Sequence, residues 1–121
     1  MPLTVISRVE DSFAILELTG SLTLGPTLST LRETTRQVLN SNRLSGVILQ
    51  MAGISVTDSS GLGELTVVYT LTAQRKCPIR LTNVSSNLKK MLEMTRIDEL
   101  LPTSADVSTA KSEMRRRAAG A

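Results

Sequence analysis

Short apolar runs alternate along this chain with longer segments in which apolar residues recur at helical spacing. Residues 47–49 (Val-Ile-Leu) form an uninterrupted apolar run, typical of a strand that is buried on both faces. Residues 79–81 form a second short run, and between the two runs the apolar residues from Leu62 to Leu71 follow helical spacing. Because strands that alternate with helices form parallel sheets, we expect a parallel sheet covered by helices.

The beginning of the chain predicts an antiparallel hairpin. Residues 3–9 and 13–18 indicate strands, and the polar residues 10–12 indicate a turn between them. Helices are expected after Pro26, from near Ser60 and after the capping residues 83–86, while residues 97–101 could add an edge strand before a weakly helical segment. The predicted fold class is therefore α/β: a single domain with a mostly parallel sheet, an antiparallel N-terminal edge hairpin and helices covering the sheet.

The scarcity of reactive side chains excludes several classes of function. The 121 residues include no histidine and one cysteine, Cys77. Without an imidazole, neither Ser-His-Asp nor Cys-His catalysis nor a Cys/His zinc site can be built. A disulfide within the chain would need a second cysteine, so a reducing, cytoplasmic location is the simplest interpretation, with Cys77 in the core. We expect no catalytic residues, no metal and no cofactor.

Charge and hydropathy indicate which partners to exclude. No stretch is long and apolar enough for a transmembrane helix, and the N-terminus lacks the pattern of a signal peptide, so we expect no membrane partner. The net charge of +3 comes from residues 111–121, whereas a DNA-binding domain spreads its basic residues over the folded surface. We therefore expect no direct nucleic-acid partner. Residues 1–110 are predicted to form the domain and residues 111–121 a basic, flexible C-terminal tail.

The segment Asp58-Ser59-Ser60-Gly61 lies where a loop meets the second predicted helix. The first backbone N–H groups of a helix lack partners and carry the positive end of its dipole, so side-chain oxygens and phosphate are both stabilised there. Taken alone, the segment indicates ordinary helix capping. The glycines at positions 61 and 63 complete neither a dinucleotide fingerprint nor a phosphate-binding loop. A serine in this place could still carry a phosphate without unfolding the helix.

The sequence around this segment resembles a known family. Residues 46–65 (GVILQMAGISVTDSSGLGEL) resemble the centre of the STAS domain, and the similarity extends to residues 18–23, 79–85 and 88–98. It spans residues 3–102 and thus concerns a whole fold. Bacterial anti-sigma-factor antagonists are the best-known members of the STAS family, and the chain is identified as a member of that type.

The resemblance implies a phosphorylation site and a partner-binding surface. In antagonists similar to this chain, the serine directly after an aspartate is phosphorylated by the anti-sigma factor, which is itself an ATP-dependent serine kinase. That position is Ser59 here. The resemblance places the partner-binding surface on Leu22, Thr23, Gly25, Asp58, Ser59, Ser60, Gly61, Leu62 and Gly63. Many antagonists have Gly-Glu-Leu-Asp where this chain has Gly-Ser-Leu-Thr at 20–23, so its surface is expected to be less acidic.

Partner switching is the function that the resemblance implies. Unphosphorylated, the protein would bind an anti-sigma kinase; phosphorylation of Ser59 would release that kinase, and a phosphatase would reset the system. We expect a monomer or weak dimer. The alternative is a non-switching STAS interaction module in a larger sensory scaffold or a transporter-associated complex.

An enzyme is the third class of function to weigh. The carboxylates of Glu17, Asp58 and Glu64 could be arranged as an acid/base site. However, Glu17 is expected on the outer face of an edge strand, and Glu64 is explained by the favourable interaction of an acidic residue with the dipole of its helix. We therefore expect a protein that is not an enzyme.

Overall fold

The computed structural model describes residues 1–119. Within these residues, one sheet has five strands in the order β1-β2-β3-β4-β5, with β1 antiparallel to β2 and the other neighbours parallel. The predicted α/β class with an N-terminal antiparallel hairpin is confirmed. The elements are β1 (Thr4–Glu10), β2 (Phe13–Leu22), α1 (Thr30–Ser41), β3 (Gly46–Thr57), α2 (Ser59–Gln74), β4 (Ile79–Thr82), α3 (Ser86–Met94), a 3-10 turn (Ile97–Glu99), β5 (Thr103–Ser104) and α4 (Val107–Ala119).

The turn between β1 and β2 follows from its two central residues. Glu10 pairs with Phe13, which leaves Asp11 and Ser12 as a two-residue loop. Both have positive φ, 54° and 67°. Two-residue hairpin loops with left-handed central residues have a twist that matches the flanking strands, and Asp tolerates this conformation well. The polar segment 10–12 therefore closes the hairpin in the predicted way.

Helices cover both faces of the sheet, but unequally. Successive residues of a strand face opposite sides, so each buried strand supplies side chains to two layers. The main core lies between α1, α2, α3 and the strand residues Ala14, Leu16, Leu18, Val47 and Leu49. On the other face, α4 contributes Ala110 and Met114 to a smaller cluster with Phe13, Ile15 and Ile48. Burial on both faces explains the uninterrupted apolar run at 47–49.

Strand β3 is much longer than the sequence indicates. The apolar run predicted only residues 47–49, whereas β3 continues to Thr57. Its register against β2 shifts twice, once between Glu17 and Thr19 and once between Gly20 and Ser21. Such bulges add residues to one strand and increase its twist. They carry β3 to the end of β2, where Leu22 pairs with Thr57, and so place the loops after the two strands side by side.

Two other element boundaries differ from the prediction. Residues 97–101, the candidate edge strand, instead contain the 3-10 turn, and the edge strand is the two-residue β5. Helix α1 begins at Thr30 rather than next to Pro26, because hydrogen-bonded turns occupy the segment before it, with the N–H of Leu28 donating to the carbonyl of Gly25.

The segment that was expected to form a flexible tail belongs to α4 as far as Ala119. Its basic side chains contact the hairpin: Lys111 Nζ lies 2.9 Å from Glu10 Oε1 and 3.1 Å from Asp11 Oδ2. The Arg115 guanidinium lies 5.3 Å from the centre of the Phe13 ring, within the range of a cation–π contact. The boundary predicted at residue 110 therefore falls inside a helix. Residues 120 and 121 of the predicted tail lie outside the described residues.

Candidate functional site

Ser59 is the first residue of α2 and is exposed. The residue before it, Asp58, has an extended backbone (φ −115°, ψ −175°) and is the N-cap of the helix. Its Oδ1 accepts a hydrogen bond of 2.9 Å from the N–H of Gly61. Asp is among the preferred N-cap residues because its short carboxylate can reach the unpaired N–H groups of the first turn. The predicted capping role of the segment and the start of the helix near Ser60 are thus confirmed to within one residue.

The second oxygen of Asp58 bonds outside its own helix. Oδ2 accepts a hydrogen bond of 3.1 Å from the N–H of Leu24, in the turn after β2. The N–H of Asp58 in turn donates to the carbonyl of Leu22 at 3.3 Å. Donation by the N–H groups of Gly61 and Leu24 holds the pKa of the Asp58 carboxyl below its ordinary value. One carboxylate therefore joins the turn after β2 to the start of α2.

Three of the predicted partner-binding residues lie in the interior. Leu22 is 0% exposed, Leu62 is 6% exposed, and Gly61 is buried. The side chains of Leu22 and Leu62 and the Cα of Gly61 therefore face the interior, and the partner-binding role of these three residues stays a prediction. The remaining six are exposed or half-buried and lie around the Asp58 link: Thr23, Gly25, Asp58, Ser59, Ser60 and Gly63.

Leu24 is the residue that the predicted set omits. It is a large apolar side chain that is 77% exposed, and its N–H bonds to Asp58. Exposed apolar side chains at the centre of a polar surface are typical contacts in protein interfaces. Its place between Thr23 and Gly25 was the signal available in the sequence, but nothing in the pattern distinguishes this leucine from the buried Leu22 two residues earlier.

Gly61 makes room for the end of β2. A Cβ built at Gly61 would lie 1.9 Å from the carbonyl oxygen of Leu22, which is backbone and cannot move aside. Gly63 has nothing within 4 Å of such a Cβ and faces open space. The two glycines, both placed on the predicted partner-binding surface, therefore differ: the missing Cβ of Gly61 makes room for the backbone of Leu22, whereas Gly63 borders open space.

Glu64 has a partner that the sequence did not indicate. Its side chain is 1% exposed, and its oxygens lie 3.0 and 2.9 Å from Nε of Arg32, whose side chain is 39% exposed. The N–H of Arg32 also donates to Glu64 Oε2 at 3.3 Å. The main interaction of Glu64 is thus the ion pair with Arg32 and not the expected interaction with the helix dipole. The pair connects α1 to α2.

The carboxylates that were weighed as an acid/base site have separate partners. Glu17 pairs with Arg8 at 3.2 Å, Glu64 with Arg32, and Asp58 with backbone N–H groups. Among residues 1–119, no cluster of three acidic, cysteine or histidine side chains could hold a metal ion. Cys77 is buried, as predicted, and burial raises the pKa of its thiol. In the same part of the chain, no helix has the length and apolar character to cross a bilayer.

The comparison with protein families identifies the class. The model of the STAS domain matches residues 4–110, so the chain belongs to the STAS domain family, as predicted. No curated protein matches its sequence. The solved structures compared below are less than 25% identical to this chain, so their likeness shows the fold alone.

Three of these structures show the range of proteins that share the fold. A candidate anti-sigma factor antagonist from Thermotoga maritima is 18% identical, with 92% of this chain and 94% of that chain covered and a TM-score of 0.79. The anti-sigma factor antagonist SpoIIAA, in its unphosphorylated form, is 15% identical, with 94% and 97% covered and a TM-score of 0.68. A sulfate transporter family protein from Wolinella succinogenes is 19% identical, with 89% and 88% covered and a TM-score of 0.71.

The two glycines of the first turn of α2 give a matched pair of substitutions. Gly61→Ala should lower the free energy of unfolding by about 1–3 kcal/mol, because the new methyl group collides with the backbone of Leu22. Gly63→Ala should raise it by up to about 1 kcal/mol, because alanine is the better helix former and nothing opposes its Cβ. Urea unfolding measures both values. Equal effects of the two substitutions would contradict the packing described here.

The Arg32–Glu64 pair gives a second prediction. Arg32→Met should leave the Glu64 carboxylate buried without its main partner, and an unsatisfied buried polar group costs about 1–3 kcal/mol of unfolding free energy. Arg36→Met is the control, because Arg36 is an exposed residue of the same helix. Chemical denaturation of both variants is the measurement. A loss in Arg32→Met no larger than in Arg36→Met would show that the ion pair does not stabilise the fold.

Proposed function

We propose that this STAS domain is an anti-sigma-factor antagonist that works by partner switching. In its unphosphorylated form it binds an anti-sigma factor that is also an ATP-dependent serine kinase, and so frees a sigma factor. Phosphorylation of Ser59 by that kinase releases it, and a phosphatase restores the first state. The protein works in the cytoplasm without a cofactor, as a monomer or weak dimer.

The position of Ser59 is the observation that carries this proposal. Its hydroxyl belongs to an exposed residue at the first position of α2, where the N–H groups of the helix are concentrated. A phosphoserine carries a charge of about −1.5 to −2 at neutral pH. The positive end of the helix stabilises such an anion, so the fold should tolerate phosphorylation while the surface changes its charge.

The neighbouring carboxylate explains how the phosphate could act on a wider surface. The lowered pKa of Asp58 means that its carboxylate is ionised at neutral pH. A phosphate on the next residue repels that carboxylate, which also holds the N–H of Leu24. The proposed effect of phosphorylation is therefore twofold. It adds negative charge at Ser59, and it weakens the hydrogen bond from the Leu24 N–H to Asp58 that holds the exposed Leu24 in position.

The surface that the kinase would contact is small, apolar at one point and poor in acidic residues. Leu24 is the apolar anchor in this proposal, and Thr23, Gly25, Ser60 and Gly63 surround it with small or polar groups. Ser21 and Thr23 stand where many antagonists have Glu and Asp. The kinase that fits this surface should accordingly depend less on basic side chains than kinases that bind an acidic turn.

Phosphate mapping tests the proposal. With ATP and the anti-sigma kinases encoded by neighbouring genes, mass spectrometry should find one phosphate, on Ser59. Ser59→Ala should abolish the modification, and Ser60→Ala, the matched control, should retain it. Ser59→Asp should stay folded but bind the kinase about 30- to 1,000-fold more weakly, the equivalent of roughly 2–4 kcal/mol. Phosphate on another residue, or none with any kinase, would refute the assignment.

A second candidate function is supported by the transporter-family structure with the same fold. In that case the domain would be a constant docking module of a transporter-associated complex or a sensory scaffold. The surface around the exposed Leu24 would bind the partner, and Ser59 would be the first residue of α2 without being phosphorylated. The two candidates differ in one result: a constant module keeps its partner in the Ser59→Asp variant.

A further inference from the structure

The second half of β3 has an unpaired edge. Along one side, β2 pairs with β3 as far as Thr57. Along the other side, β4 pairs only with residues 47–50, and no other strand within residues 1–119 takes its place. The edge of residues 51–57 therefore has backbone N–H and C=O groups without strand partners. Such an edge is a template for pairing with another extended chain.

Helix α3 turns this edge into a groove. The groove has a volume of about 480 Å³. One wall consists of residues 54–57 of β3, and the other consists of the first turn of α3 with Lys90, Met91 and Met94. Val56 is 53% exposed and Met94 is 82% exposed, so the two walls present apolar side chains to solvent. A strand edge beside a helix is the arrangement in which several recognition domains bind peptides by strand addition.

The edge lacks two features that prevent strand pairing, charged side chains and proline. Residues 51–57 (Met-Ala-Gly-Ile-Ser-Val-Thr) contain no charged residue and no proline, and three of them are β-branched. Strand β1, at the outer edge of the sheet, carries Arg8 and Glu10 instead. Natural proteins use such charges to keep exposed edges from pairing. The β3 edge therefore lacks the charged side chains that β1 carries.

The charge of the groove favours one kind of occupant. Among the described residues, Lys90 is the only ionisable side chain that lines the groove, and the start of α3, with the positive end of the helix dipole, lies in the same wall. A second copy of the chain paired through the same patch would bring a second Lys90 and, from the described lining of the groove, no carboxylate, since a two-fold interface uses the same residues twice. A partner with an acidic side chain complements the groove better.

We propose that this groove binds an extended segment of another protein, which adds as a strand to the β3 edge. Apolar side chains of the segment contact Val56 and Met94, and an acidic side chain lies near Lys90 and the start of α3. This binding needs no phosphate on Ser59 and goes beyond the proposed switch. The protein would then have two docking surfaces, one at each side of the β3–α2 loop.

Peptide selection tests this inference on the unmodified full-length protein. A random-peptide phage library should yield peptides in which apolar residues alternate with polar ones and an Asp or Glu stands near one end. Fluorescence anisotropy of the synthesised peptides should show binding at least about tenfold weaker to Val56→Lys and to Met94→Lys. Ile6→Lys is the control, because Ile6 is 62% exposed but lies on β1, away from the groove. Circular dichroism checks that all variants are folded.

Two further measurements identify the mode of binding. Peptide addition should slow amide hydrogen exchange in residues 51–57, as new strand hydrogen bonds require. Lys90→Glu should weaken the binding of the acidic peptides, and changing the acidic residue of a peptide to Lys should restore its binding to this variant. The inference would be overturned if the library yielded no peptide, or if the selected peptides bound Val56→Lys and Met94→Lys as tightly as the unmodified protein. It would also be overturned if the protein associated with itself and Val56→Lys abolished that association. Because no kinase is involved, none of these results bears on Ser59.

Discussion

One carboxylate connects the two segments on which the proposed site depends. Asp58 caps α2 through the N–H of Gly61 and holds the turn after β2 through the N–H of Leu24. The sheet makes this possible, because parallel β2 and β3 end together at the Leu22–Thr57 pair. Gly61 then lets the helix start lie directly against the Leu22 carbonyl. Ser59 and Leu24 consequently form a single surface although 34 positions separate Leu24 from Asp58.

Much of the architecture follows from local sequence patterns. The polar turn between two strands, the buried run at 47–49 and the capping by Asp58 are properties of short segments, and the structure agrees with each. The length of β3 was not predictable, because its second half is shaped by bulges against β2 and not by its own apolar pattern. The Arg32–Glu64 pair was not predictable either, since each residue alone is compatible with an exposed helix face. The helical structure of residues 111–119 was not predictable for a similar reason: α4 packs through Met114 against Phe13 and Ile15, contacts that charge composition does not reveal.

Membership of the STAS family establishes the fold and leaves the partner open, since antagonists and a transporter-family protein share this architecture. The chemistry of the two proposed docking surfaces indicates what kind of partner each could bind. An exposed serine at a helix start is suited to a reversible change of charge, whereas the open β3 edge is suited to constant recognition of an extended chain. The two surfaces lie on either side of one loop, so a larger partner could contact both. Their chemical difference allows each to be altered without the other.

The Asp58–Leu24 link is tested most directly by amide hydrogen exchange at Leu24, followed by NMR at neutral pH. We expect Asp58→Ala and phosphorylation of Ser59 both to accelerate exchange at Leu24, because each removes or repels the carboxylate that accepts its N–H, while the amide of Leu16 in the centre of β2 exchanges as before. Unchanged exchange at Leu24 in both forms would show that the turn after β2 holds its position without Asp58, and that this carboxylate does not join the two segments.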